Sequence, residues 1–348
     1  MKKLAVVTIS ILFFLLCACS DTGSSEPAGT LPPETAAPSV PAACTHPSHN
    51  PDTQLCDVCG EKVCHSYTGM KCACGKVFEP EDSFMDMSLY DGCAHPGAIE
   101  KTSYPSRCYA YEPYEETEKN MVVYLPYGYT DDNMYNVLFL LPGSCFDENY
   151  YFCTEHFYNG KTVSLKNMVD NMIDRKICEP VIIVCITCYG GSSVTADNLP
   201  VDSRQVSLEM RNDILPYVCN HFSTYGIDER SHFGFAGYSY GSVLTFSSAF
   251  KDCFDLFSYY GMWSGFIGYI DEITESVSAS QLPCGFLYSC VGDSDVMAYD
   301  TERAYSRITG EIPAFRAGEN CCLNYISPAS HDWILSHNGL FDCLQLFF

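Results

Sequence analysis

After Asp91-Gly92-Cys93 the chain alternates short apolar runs with stretches whose apolar positions recur at helical spacing, and it does so as far as Phe348. Residues 121–125 and 136–141 predict strands. Residues 181–186 form a continuous apolar run, as a parallel strand covered on both faces requires. Between them, 165–175 predicts a helix. A second helix is expected over 207–221, where Leu208, Ile214, Leu215 and Val218 share one face, and Pro216 should kink or divide it. Residues 232–236, 284–291 and 321–326 predict further strands, with helices over 240–250 and 296–308 and a last helix after His331. Strand and helix in strict alternation predict an α/β fold, a doubly wound and mostly parallel sheet with helices on both faces.

The N-terminal pattern differs. Lys2 and Lys3 precede an apolar run over 4–16, which is shorter than the roughly 20 residues a membrane helix needs. It ends in Leu16-Cys17-Ala18-Cys19-Ser20, which resembles a bacterial lipobox cleaved before Cys19. Residues 1–19 therefore predict a lipoprotein signal peptide and an exported chain, held at the outer face of a bacterial membrane by a lipid on Cys19. An ordinary signal peptide would leave it secreted instead. Residues 20–43 are Ser, Thr, Pro, Ala, Gly and Glu with almost nothing to bury, a disordered linker.

Residues 44–79 predict a small Cys/His-rich module resembling a zinc ribbon. Its candidate ligands are Cys44, His46, His49, Cys56, Cys59, Cys64, His65, Cys72 and Cys74. Cys56-Asp57-Val58-Cys59-Gly60 and Cys72-Ala73-Cys74-Gly75 look like zinc knuckles, the glycine permitting the tight turn that aims two thiolates at one ion. Cys44, His46, Cys56 and Cys59 suit one site; Cys64 or His65 with Cys72 and Cys74 suit a second. A disulfide knot is the alternative, but it has no use for histidines. With its ligands spent on structural zinc, the module would hold no catalytic metal and could instead meet a cell-wall or protein partner. Residues 80–96 connect it to a main domain over 97–348.

Composition narrows the function. Hydrophobic residues make up 47% of the 348 positions, enough for a large core, while 43 acidic against 19 basic residues give a formal charge of -24. That field repels polyanions, so nucleic acid is excluded as a partner. Of 22 cysteines, those beyond residue 92 are scattered within apolar runs and read as small buried hydrophobes rather than as disulfides.

The chemistry-bearing residues lie in that domain. Gly237-Tyr238-Ser239-Tyr240-Gly241 fits G-x-S-x-G between a predicted strand and helix, a bend on which Ser239 becomes a nucleophile. The general base must follow it, and His331, in the loop before the last helix, is preferred to His337, which should be an exposed polar residue of that helix. The acid belongs in Gly292-Asp293-Ser294-Asp295, where either aspartate could serve and the other would complement a helix N-terminus. The backbone N–H of Tyr240 and that of Ser144, with Cys145 as alternate, are the expected oxyanion donors.

These residues resemble the esterase D and feruloyl esterase group, carbohydrate esterase family 1, over about residues 97–348. The likeness lies in Val122-Val123-Tyr124-Leu125-Pro126-Tyr127-Gly128-Tyr129, in Leu140-Leu141-Pro142-Gly143 with Asp147-Glu148-Asn149, in Gly237–Gly241, in Gly292 with Asp295, and in His331-Asp332-Trp333. The resemblance implies an α/β-hydrolase with a Ser239, Asp295, His331 triad, no catalytic cofactor, and hydrolysis of feruloyl or acetyl esters on plant polysaccharide. Pro142 stands where the family usually has His, and Ser242 where a second Gly is common; neither makes or breaks a bond, but the first borders the acyl pocket. An acyltransferase of the same fold and a surface-binding lipoprotein without catalysis are the alternatives.

Overall fold

The computed structural model describes residues 46, 48–81, 83–110, 112–144, 146–187, 203–265 and 270–348. The predicted signal peptide, the linker, Cys19 and Cys44 lie outside the described residues, as does Cys145. Within the N-terminal module, β1 (Tyr67–Thr68) and β2 (Lys71–Cys72) form a minimal hairpin. Then follow β3 (Ala98–Cys108), β4 (Glu115–Leu125) and β5 (Asn136–Leu141). A hairpin of β6 (Glu155–Tyr158) and β7 (Lys161–Ser164) leads into α1 (Leu165–Asp174) and β8 (Val181–Cys185). The chain continues through α2 (Ser203–Glu209), α3 (Leu215–His221), β9 (Phe233–Tyr238), α4 (Tyr240–Leu244) and β10 (Tyr259–Trp263). It ends with α5 (Ile270–Ser280), β11 (Phe286–Gly292), α6 (Ala298–Glu311), β12 (Cys321–Ile326) and α7 (Trp333–Leu346).

Eight strands form one sheet in the order β12-β11-β10-β9-β5-β8-β4-β3. The six from β12 to β8 run parallel, and β4 and β3 join antiparallel at one edge. Both faces are covered, and β5 shows why its sequence is apolar without interruption. Val137, Phe139 and Leu141 enter one core, while Leu138 and Leu140 enter the other. Side chains on a strand alternate sides, so a doubly covered strand can spare no polar position. The molecule is an α/β-hydrolase.

Several elements, the β6–β7 hairpin among them, lie outside the sequence expectations, and three of these show why. β10 is short and contains Gly261; α5 places Ile270, Ile273 and Val277 among Glu, Ser and Thr; β3 is a long, half-exposed edge strand. Each carries a weak apolar signal. Pro216 does not divide its helix. Backbone bonding shifts to a π-helical segment over Met210–Ile214, and Pro216 then sits in the first turn of α3, where a missing N–H costs nothing. No disulfide joins any two of the described cysteines, and many of those in the main domain are buried. Among the described residues no helix is long and apolar enough to cross a membrane.

Candidate active site

The bend after β9 is built by its glycines. A Cβ on Gly237 would lie 2.3 Å from the carbonyl carbon of Gly241, and one on Gly241 would lie 2.3 Å from the Leu141 carbonyl oxygen. Only glycine permits the helix to start so close to the strand. Between them Ser239 adopts φ 55° and ψ -116°, a conformation disfavoured for a residue with a side chain. The packing around it stores that strain and holds the hydroxyl at the C-terminal edge of the sheet. Ser242, buried in the following turn, fills the space against Gly265.

The structure brings Ser239, His331 and Asp295 together. His331 Nε2 lies 2.8 Å from Ser239 Oγ, and its Nδ1 lies 3.0 Å from Asp295 Oδ1. Tyr238 places its ring 5.1 Å from the imidazole and so limits how it can turn. Asp295 is buried and also accepts the Met297 backbone N–H at 2.8 Å. Burial pushes its carboxyl up, but hydrogen bonds from His331, Ser264 and Met297 outweigh that and hold it below the usual aspartate value. The charged form is thus kept opposite the imidazole.

Asp293 has a different task from the helix-terminal one expected of it. It accepts the Ser327 hydroxyl at 2.6 Å and the Ala329 N–H at 3.1 Å, fastening the loop that carries His331. His337 corrects another expectation: it is buried, not exposed, and its Nδ1 lies 2.9 Å from the Tyr90 hydroxyl. Burial and the nearby His156 push it well below the ordinary histidine value, so it is neutral.

Ser264 was missed. It follows β10, is fully buried, and has φ 54°. Its hydroxyl is 2.6 Å from Asp295 Oδ2 and 2.7 Å from His331 Nδ1. One arrangement satisfies both contacts: Ser264 donates to the carboxylate and accepts part of the imidazole N–H. No motif marks such a residue, and only the neighbouring strand order reveals it.

The loop after β5 passes beside the nucleophile. A Cβ on Gly143 would meet Ser239 Cβ at 3.3 Å, which puts the turn containing Ser144 next to the reacting oxygen. Tyr240 is the first residue of α4, so its N–H belongs to the N-terminal turn of a helix that starts at the serine.

Of the Cys/His candidates, His49, His65, Cys72 and Cys74 converge, as do His46, Cys56 and Cys59; in each group all ligand atoms lie within 4.8 Å of one another. Cys64 joins neither. It is buried beside Glu179 and Cys178 of the main domain, so of the two alternatives His65 is the one that meets Cys72 and Cys74, and His49 completes the group.

No protein-family model matches the chain. It is 28% identical over 283 residues to the endo-1,4-beta-xylanase Y of Acetivibrio thermocellus, an alignment covering 75% of this chain and 24% of that protein. The chain thus spans about a quarter of that relative's length. A solved structure described as FAE is 25% identical with a TM-score of 0.65, covering 79% of this chain and 96% of that one. The same fold recurs in a mutant feruloyl esterase module from Clostridium thermocellum bound to sinapinate, at 24% identity and a TM-score of 0.66 over 79% of this chain and 96% of that one. It recurs again in a CE1 ferulic acid esterase from Anaeromyces mucronatus in complex with ferulic acid, at 18% identity and a TM-score of 0.61, over 78% and 98% of the two chains. The chain has the α/β-hydrolase fold and is similar to feruloyl esterases, the curated relative and the solved structures alike.

Proposed function

We propose that the protein cleaves feruloyl or acetyl esters carried by plant polysaccharide, through an acyl-enzyme on Ser239. The observation that carries this reading is the 2.8 Å contact between Ser239 Oγ and His331 Nε2 on a strained, glycine-flanked bend. His331 Nε2 takes the hydroxyl proton as Ser239 Oγ attacks the ester carbonyl, and Asp295 and Ser264 steady the imidazolium from the other side. The backbone N–H groups of Tyr240 and Ser144 receive the oxyanion. Its collapse breaks the ester C–O bond, and the sugar alcohol leaves with the proton from His331. Water then gives a proton to His331 and attacks the acyl-enzyme; the acid is released and Ser239 regains its hydrogen. None of these steps calls for a cofactor.

Aromatic acyl groups are favoured by the side chains near the acid and the oxyanion loop. Val296 and Tyr299, just after Asp295, are strongly exposed, and so is Phe146 after Ser144. Similar structures hold ferulic acid and sinapinate as their ligands. The chain would act outside the cell, anchored by the lipid on Cys19. Ser239→Ala tests the chemistry. Turnover of methyl ferulate and of p-nitrophenyl acetate should fall to background while the thermal unfolding midpoint stays near that of the parent. Retained hydrolysis would end the proposal, and release of acetate but never of ferulate would remove its aromatic half.

A further inference from the structure

The module before the main domain has almost no core of its own. Over residues 48–79 its fully buried apolar side chains are Cys56, Cys64, Cys72 and Phe78, and its only strands are two residues long. A segment of this size needs cross-links to hold a fold. Its histidines favour a metal over disulfides, which have no use for imidazoles. What the segment does contain is two clusters of sulfur and imidazole nitrogen.

The spacings within those clusters are diagnostic. Zinc bonds of about 2.3 Å to sulfur and about 2.0–2.1 Å to nitrogen, at tetrahedral angles, put nitrogen and nitrogen about 3.3 Å apart and sulfur and nitrogen about 3.6 Å apart. His49 Nε2 and His65 Nδ1 are separated by 3.2 Å. Cys74 Sγ is 3.4 Å from His65 Nδ1, and Cys72 Sγ is 3.8 Å from His49 Nε2. In the second cluster Cys59 Sγ is 3.4 Å from His46 Nδ1. The Val58 N–H points at Cys56 Sγ from 3.4 Å, as the turn of a zinc knuckle requires. The four distances between ligand atoms match the edges of a tetrahedron around one ion.

We propose that the module binds two zinc ions, one on His49, His65, Cys72 and Cys74 and one on His46, Cys56 and Cys59, and that both are structural. The first set supplies four protein donors and leaves no position for substrate. Three donors on the second leave one position for a further ligand.

Position argues for the same role. The Met70 N–H bonds the Glu319 carbonyl at 2.9 Å, and the Gln54 side-chain amide bonds the Lys176 carbonyl at 2.9 Å. Glu319 and Lys176 precede β12 and β8, whereas Ser239 and His331 follow the ends of β9 and β12. The module therefore docks at the end of the parallel strands opposite the active site, roughly 17 Å away along β12. Its metals brace that end of the sheet and take no part in ester cleavage. This inference stands whether or not the Ser239 reading does.

Metal analysis of the purified full chain tests it, with two zinc expected per chain and one in the double variant Cys72→Ser/Cys74→Ser. Should that variant fail to fold, cobalt exchanged into the parent chain should show the visible bands of tetrahedral, thiolate-bound Co(II). Stripping the zinc should lower the unfolding midpoint yet leave kcat on an aryl ester unchanged below it. A zinc-free chain whose mass shows oxidised cysteines would overturn the assignment, as would a double variant that keeps both ions. Loss of turnover while the chain stays folded would overturn the structural role.

Discussion

Ser264→Ala removes one hydroxyl from the catalytic cluster and little else. In the native arrangement that hydroxyl donates to Asp295 Oδ2 at 2.6 Å, and both residues are buried. A hydrogen bond to a charged group contributes about 1.5–3 kcal/mol, and each 1.36 kcal/mol of transition-state free energy is tenfold in rate. If the whole loss fell on the transition state, kcat would drop by about 10- to 150-fold. Asp295 keeps the Met297 N–H and the imidazole N–H, so a fall of about 10- to 100-fold is expected, with KM within about twofold of the parent. Truncation also changes packing, and a companion variant separates the two effects. Ser264 has φ 54°, a region that glycine occupies at no cost. Ser264→Gly should therefore be more stable than Ser264→Ala by about 1 kcal/mol, yet lose the same activity, because both lack the hydroxyl. The assay is steady-state hydrolysis of an aryl ester beside chemical denaturation of each variant. If kcat in both stays within threefold of the parent, Ser264 only fills space and the reasoning fails.

Two other outcomes can be checked. Asp342 is a fully buried residue of α7, and burial pushes its carboxyl up to about 8 against the hydrogen bonds from Tyr288 and the Glu81 N–H. Unfolded, the same group titrates near about 4, so the neutral acid's contribution is complete below that pH and drains away as pH rises toward 8. The unfolding midpoint of the parent should fall between about pH 5 and pH 8 relative to Asp342→Asn, and parallel curves for the two would refute this. At the other end of the chain, Cys19→Ser should move the protein from the membrane fraction to the medium or periplasm of an expressing bacterium; an unchanged distribution would exclude the lipid anchor.

The sequence made the sheet legible wherever a strand is buried on both faces. Residues 136–141 and 181–185 are apolar throughout because each neighbouring side chain enters a different core. The same held for the bend at Ser239, since backbone contacts at 2.3 Å leave no alternative to glycine at 237 and 241. Ser264 was illegible for the converse reason. A lone serine after a strand has no periodicity to break, and its partners, Asp295 and His331, lie 31 and 67 residues away. The choice between Cys64 and His65 stayed open because ligand spacing along a chain does not say which of two adjacent residues turns inward.

The misreading of His337 has a more general cause. Polar residues in a helix suggest solvent, yet Ser336, His337, Asn338 and Asp342 of α7 are all buried. Three of the four, His337, Asn338 and Asp342, find partners in the stretch read as a mere connector. Tyr90 meets His337, the Ser83 carbonyl accepts from Asn338 at 2.6 Å, and the Glu81 N–H reaches Asp342 at 3.3 Å. Phe84 stacks on Tyr90 and packs edge-on to Trp333, two residues beyond the catalytic histidine. A helix with these polar residues would be costly to bury alone, because each unsatisfied group carries its full desolvation penalty. Residues 81–90 lower that penalty, leaving Asn338 Oδ1 as the buried atom of this group without a partner among the described residues, so α7 and the connector form one unit that neither sequence pattern discloses separately. It is α7 that closes the last turn onto His331, through the Asp332 side chain capping the Ile334 N–H at 2.9 Å. The stretch between the Cys/His-rich module and the main domain thereby belongs to the support of the His331 imidazole.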